Sequence, residues 1–136
     1  MVTFWDFYVL QHHVLRTGLV FWTGSLLVLF GLLLRLVARK ALGRFFLYGL
    51  EIKPDHVLIT HGIYRWIRHP GYLGVIMFDL GTPLLFSSGY GLLLILLLIP
   101  MYIYRIRVEE QMLMERFGEE YRAYQRRTKK LIPAIY

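Results

Sequence analysis

The stretch Gly71–Tyr104, GYLGVIMFDLGTPLLFSSGYGLLLILLLIPMYIY, decides the fold: 34 residues carry a single charge, Asp79. A hydrocarbon core is crossed by about 20 apolar residues, with a range of about 17–25. The run is too long for one span and long enough for two. Ser87-Ser88-Gly89 interrupts it near the middle, which predicts a helical hairpin: Pro70 to about Phe86, a tight turn, then about Tyr90 to Tyr104. Pro83 and Pro100 fall inside these helices, where a membrane setting tolerates kinks.

Upstream, Leu19–Leu34 is a second charge-free run, 16 residues bounded by Arg16 and Arg35. It makes one short span whose flanking arginines snorkel to the interfaces. Gly18, Gly24 and Gly31 recur in it at spacings of six and seven, a smooth face for close helix packing. Residues 1–17 read two ways, as an interfacial amphipathic helix or as the lower part of a longer first helix. Asp6, the aromatic rings and the lack of a basic start argue against a secretory signal peptide.

Composition agrees. Of 136 residues 57% are hydrophobic and the mean hydropathy is +0.48; with the 12 Gly counted and the 10 Tyr left out the share is roughly 59%, above the roughly 45–50% of soluble domains on that same set. That excludes a disordered chain, and it leaves too little polar cover for a small water-soluble domain. The length fits a single domain over 1–136. The absence of cysteine excludes a disulfide framework and a cysteine-ligated metal centre.

The net charge of +7 is explained by its placement. Seven basic residues lie from Arg35 to Arg68 and eight follow Tyr104, against Arg16 alone before the first span and none in the hairpin turn. By the positive-inside rule the connector over 35–70 and the tail are cytoplasmic. Anionic headgroups and orientation then account for the charge, and nucleic acid is not needed as a partner. The tail is periodic from Arg105 to about Arg127, with Met112, Leu113, Phe117, Tyr121 and Tyr124 on one stripe. Gly118 weakens this helix and Pro133 ends it. The expected fold class is therefore an all-α integral membrane protein. It has about three transmembrane helices (one span, an amphipathic connector, a helical hairpin) and a C-terminal cytoplasmic helix.

Two constellations stand out as chemistry. The first is HVLITHGIYRWIRHPGY, His56–Tyr72, dense in His, Arg and aromatic residues just before the hairpin. Pro70 suits the first turn of a helix, so residues 68–71 lie at a helix N-terminus, whose N–H groups and partial positive charge suit a carboxylate or phosphate. The plainer alternative is that Arg65 and Arg68 anchor the helix at the headgroups while Tyr64, Trp66 and Tyr72 form an aromatic belt.

The second is Arg105 with Glu109 and Glu110. Arg105 and Glu109 share a face at i, i+4, in the order that supports a helix least. Charges this close to a bilayer face a cavity or a partner. A carboxylate there accepts hydrogen bonds from an amine or a diol, and a guanidinium holds a carboxylate. A solvated ion pair is the alternative. Asp79 is either functional, paired with another helix or part of a dimer contact. The histidines have no metal-ligand spacing, so no metal is expected, and no phosphate loop or nucleophile elbow is present.

Together these pieces resemble the isoprenylcysteine carboxyl methyltransferase family of membrane enzymes, which are related to the phospholipid methyltransferases. The resemblance rests on Gly62-Ile-Tyr-Arg65, on Arg68-His-Pro-Gly-Tyr-Leu-Gly74, on Arg105 with Glu109-Glu110, and on Phe117-Gly-Glu-Glu-Tyr121 with Tyr124, across about 56–133. It implies S-adenosylmethionine-dependent methyl transfer at the cytoplasmic membrane face. It also implies a cofactor pocket from His56, Val57, Leu58, Ile59, Tyr64, His69, Pro70, Gly71, Tyr72, Glu109 and Glu110. Arg105 would bind the acceptor, a lipophilic or lipidated molecule, with Glu109 beside the reacting groups. Family members in animals have further spans before this core, so a homo-oligomer is one way to complete an acceptor tunnel. Other readings are a phospholipid or small-amphiphile N- or S-methyltransferase, a non-catalytic lipid- or partner-binding module, and a reductase of the sterol-reductase fold. If a base is needed, His61 and His69 are the candidates.

Overall fold

The computed structural model describes residues 18–43 and 57–131. The ambiguous residues 1–17, the middle of the connector, His56 and Pro133 lie outside the described residues. Among the described residues every regular element is helical: α1 Leu19–Leu42, a 3-10 turn Gly62–Arg65, α2 Pro70–Leu85, α3 Gly89–Phe117 and α4 Glu119–Arg127. Two of these, α1 and α3, are long and apolar enough to cross a membrane.

The hairpin forms where the sequence places it. α2 ends at Leu85 and α3 begins at Gly89, with Ser87 in the left-handed region at φ 51°. The Ser88 hydroxyl accepts the Gly91 N–H at 3.0 Å and satisfies a donor that the first turn of α3 leaves open. Pro83 and Pro100 both sit inside continuous helix.

Two expectations are corrected. α3 does not stop near Tyr104 but runs on to Phe117, because Arg105–Arg116 contains no Gly or Pro and is rich in good helix formers. The tail helix is therefore the end of α3 plus the short α4, separated at Gly118, whose φ of 51° suits glycine.

Packing divides the described chain into two compact units. One gathers the residues up to Leu33 with Gly74–Pro100, the other those from Leu34 to Leu73 with Met101 onward. In the first, α1 and α2 touch backbone to backbone at buried Gly24, Gly31 and Gly81, so two of the three glycines expected to form a smooth face do so. The lipid-facing character of this unit shows in exposed Trp22, Leu26, Leu29, Phe30, Leu93 and Leu97. A cavity of about 300 Å³ at its hairpin-turn end is lined by Gly18, Leu19, Pro83, Leu92 and neighbours and carries no charged group.

The second unit holds a small core of Tyr64, Ile67, Ile106, Tyr121, Tyr124 and Leu131. It contains both chemical constellations.

Candidate functional site

The segment before α2 is shaped by three hydrogen bonds to the tail. Gly62, at φ 61°, opens the 3-10 turn, and the Trp66 and Ile67 amides close it on the Ile63 carbonyl at 3.1 and 3.2 Å. The chain then runs extended beside residues 128–130. Lys129 N–H donates to the Trp66 carbonyl (3.0 Å), Arg68 N–H to that of Lys129 (2.8 Å) and His69 N–H to that of Lys130 (3.1 Å). The helix start at 68–71 is consequently not a free row of donors as expected. The Arg68 and His69 amides are taken by the tail and Pro70 has none, so Gly71 and Tyr72 remain ahead of the first intrahelical bond, Leu73 N–H to the His69 carbonyl.

α4 closes this layer. Tyr121 and Tyr124 are buried with ring centroids 5.9 Å apart. The Tyr124 hydroxyl donates to the Tyr64 carbonyl at 2.7 Å, and the Thr128 hydroxyl to the Tyr124 carbonyl at 2.7 Å. Burial pushes the Tyr64 and Tyr121 hydroxyls well above the ordinary tyrosine range, reinforced by Glu109 at Tyr64 and by Glu110 at Tyr121. Burial pushes Tyr124 up to about 12, against a smaller opposing effect of Arg68. Tyr124→Phe is expected to cost about 1–2 kcal/mol at neutral pH, because it strands a buried carbonyl. A raised folded-state pKa means that this stability is complete below pH 10 and lost as the pH rises through about 12. Unfolding midpoints of wild type and variant should therefore converge over that interval. A gap unchanged between pH 8 and pH 12 would show that the hydroxyl is not buried as described.

The acidic pair meets this layer from α3. The Arg68 Nε donates to Glu110 Oε1 at 2.8 Å, and its Nη1 to the Thr128 carbonyl at 2.6 Å and the Gln125 carbonyl at 3.2 Å. Lys130 Nζ lies 2.9 Å from Glu110 Oε2. The His69 ring, 3% exposed, sits between the acids, with Nε2 3.4 Å from Glu110 Oε1 and Nδ1 3.8 Å from Glu109 Oε2. Tyr72 packs edge-on against His69 with centroids 5.9 Å apart, and its hydroxyl interacts with both Glu109 and Arg105. The two acids differ: Glu110 is 11% exposed and engaged at both oxygens, whereas Glu109 is 38% exposed and meets His69 only at long range.

The structure thus gathers Tyr64, His69, Tyr72, Arg105, Glu109 and Glu110 into one cluster, with Pro70 and Gly71 at the head of α2. Val57 is exposed and Leu58 and Ile59 are half-buried in the irregular stretch before the 3-10 turn, adding no side-chain polar group. Arg65 lies over the exposed Trp66 ring at 4.8 Å, in keeping with a surface anchor. Arg68 does not, for its side chain is 10% exposed and points inward. Arg68, Lys130, Tyr121 and Thr128 are site residues that sequence reasoning missed. The available signal was the adjacency of the acids, because consecutive helical residues point about 100° apart and Glu109 and Glu110 cannot both face one ligand.

Apolar helices and a cluster of histidine, tyrosine, arginine and glutamate define an all-helical membrane protein with a polar site. A family model described as the isoprenylcysteine carboxyl methyltransferase (ICMT) family matches residues 22–115, and the chain belongs to this family. The protein-S-isoprenylcysteine O-methyltransferase of Saccharomyces cerevisiae is 39% identical over 124 residues, covering 89% of this chain and 52% of the relative. That of Dictyostelium discoideum is 29% identical over 145 residues, covering 100% and 60%. A solved structure of a eukaryotic intramembrane Ras methyltransferase, ICMT, superposes with a TM-score of 0.83 at 30% identity, covering 98% of this chain and 50% of that one. The chain spans about half to three-fifths of the length of these relatives.

Proposed function

We propose that the protein is a membrane methyltransferase that uses S-adenosylmethionine and esterifies a carboxylate on a lipophilic, isoprenylcysteine-like acceptor. The observation that carries this is Tyr72, whose hydroxyl interacts with both Glu109 and Arg105, in a chain of a methyltransferase family. The donor set fits the cofactor. Glu109 has lone pairs for an amine or ribose diol, the Gly71 and Tyr72 amides suit a carboxylate, and the Tyr72 ring suits a cation. Val57, Leu58 and Ile59 offer apolar surface for the remainder, and His56 is assigned with them by family resemblance.

The bound cofactor supplies a methyl group already activated on sulfur. The protein's part is orientation and charge. Glu109 holds the donor side, and the Arg105 guanidinium holds the acceptor carboxylate by paired hydrogen bonds. A carboxylate at neutral pH is already ionised, so no residue has to remove a proton. The reading includes three spans, with α2 as the short middle one, and a site on the cytoplasmic side where the Lys/Arg excess lies.

The test is methyl transfer from labelled S-adenosylmethionine to a small S-prenylated cysteine by the purified chain in detergent or lipid. The expected product is an ester, whose label is released as methanol by base. A base-stable product would mean N- or S-methylation, and no cofactor binding by folded protein under varied lipid conditions would end the enzyme reading.

A further inference from the structure

Glu110 is the most heavily partnered charge in the site, and the proposed chemistry does not require it. Its Oε1 accepts from Arg68 Nε at 2.8 Å, its Oε2 pairs with Lys130 Nζ at 2.9 Å, and the Tyr121 hydroxyl stands 3.5 Å from Oε1. A carboxylate between a guanidinium and an ammonium is ionised and can only accept hydrogen bonds. His69 Nε2, 3.4 Å from Oε1, must therefore carry the hydrogen. His69 Nδ1 lies 3.8 Å from Glu109 Oε2, too far to donate to it. Nδ1 and the Glu109 carboxylate then stand side by side as two acceptors; the Tyr72 hydroxyl also reaches Glu109, and the carboxylate keeps further lone pairs.

We propose that Glu110 is a positioning residue: it fixes the His69 ring in its Nε2–H form, and so leaves His69 Nδ1 and Glu109 as a two-acceptor notch for an ammonium group. The notch takes the amine of the amino-acid moiety of the cofactor. This rests on the methyltransferase reading, and it assigns Glu110 to the scaffold rather than to the ligand. Arg68 and Lys130 act one step further out, by holding the Glu110 carboxylate in place from the α2 lead-in and from the tail.

The test uses the full chain in detergent with two probes, S-adenosylhomocysteine and its analogue lacking the amino group, and with ¹⁵N-labelled histidine. In wild type the amine is expected to strengthen binding by at least about tenfold, as a charge-assisted pair should, and the His69 resonances to report the Nε2–H form. Glu110→Gln should lose most of that amine dependence, bind the analogue unchanged, and show mixed His69 tautomers. Lys130→Met, a milder change, should shift both readouts in the same direction and serves if Glu110→Gln does not fold. Equal weakening of both probes would show a general structural role and overturn the proposal, as would unchanged tautomer and amine dependence. Wild type binding neither probe would instead overturn the methyltransferase reading, and the tautomer measurement would then decide the role of Glu110 alone.

Discussion

Gly24→Ala is expected to lower the thermal unfolding midpoint of the detergent-solubilised chain and Gly24→Val to prevent folding, whereas Gly18→Ala should leave the midpoint in place. Helix propensity alone predicts the opposite sign, since alanine in a helix interior is favoured over glycine by about 1 kcal/mol. The contacts decide against propensity. A Cβ on Gly24 would collide with the Leu85 amide nitrogen and stand 2.8 Å from the Leu84 carbonyl carbon and 2.9 Å from the Gly81 oxygen. A Cβ on Gly81 would meet the Gly24 oxygen and the Val28 nitrogen, each at 2.8 Å. These atoms are backbone and cannot rotate away, so α1 and α2 have to separate along this seam. Overpacking costs about 1–3 kcal/mol where side chains can adjust, and a backbone seam falls at or above that range. Between membrane helices there is little hydrophobic gain to offset it, because close packing itself drives association. Gly18 has nothing within 4 Å and serves as the control. A raised midpoint for Gly24→Ala would show that the two helices do not approach as described.

The same glycines show how far the sequence could be read. Their spacing announced a smooth face on the first span, and Ser87-Ser88-Gly89 announced the turn, because both features are local. α3 is longer than hydropathy predicts because hydropathy marks where lipid ends, whereas the helix continues until Gly118 turns the backbone left-handed. Within the site, His69, Tyr72, Glu109 and Arg105 were legible as residue types in unusual density. The partners of Arg68 were not. Glu110 is 42 positions away and the Thr128 carbonyl 60, and no period links them. An arginine beside an aromatic belt resembles an interfacial anchor until the tail is seen lying against it. The pairing of residues 66–69 with 129–130 is equally silent, since it rests on three backbone bonds that any side chains would permit.

Glu109→Gln and Arg105→Lys are expected to fail in different measurements, and the split assigns the two sides of the site. Glu109 is the exposed acid of the pair and retains lone pairs for an incoming donor. Replacing it by an amide removes one charge-assisted interaction, about 1.5–3 kcal/mol, which corresponds to roughly a 10–150-fold rise in the Kd of S-adenosylhomocysteine by calorimetry. Arg105 sits one helical turn earlier on the same face and, like Glu109, interacts with the Tyr72 hydroxyl. Lysine there keeps the charge but loses the fork that binds a carboxylate through two bonds. Cofactor affinity should stay within about twofold of wild type, while the KM for a prenylated cysteine rises at least about tenfold. Removing the acceptor carboxylate, as in an amide analogue, should abolish the difference between wild type and Arg105→Lys in competition binding. Were Arg105→Lys to weaken the cofactor as much as Glu109→Gln does, both groups would belong to one ligand, and the acceptor carboxylate would have to be held elsewhere.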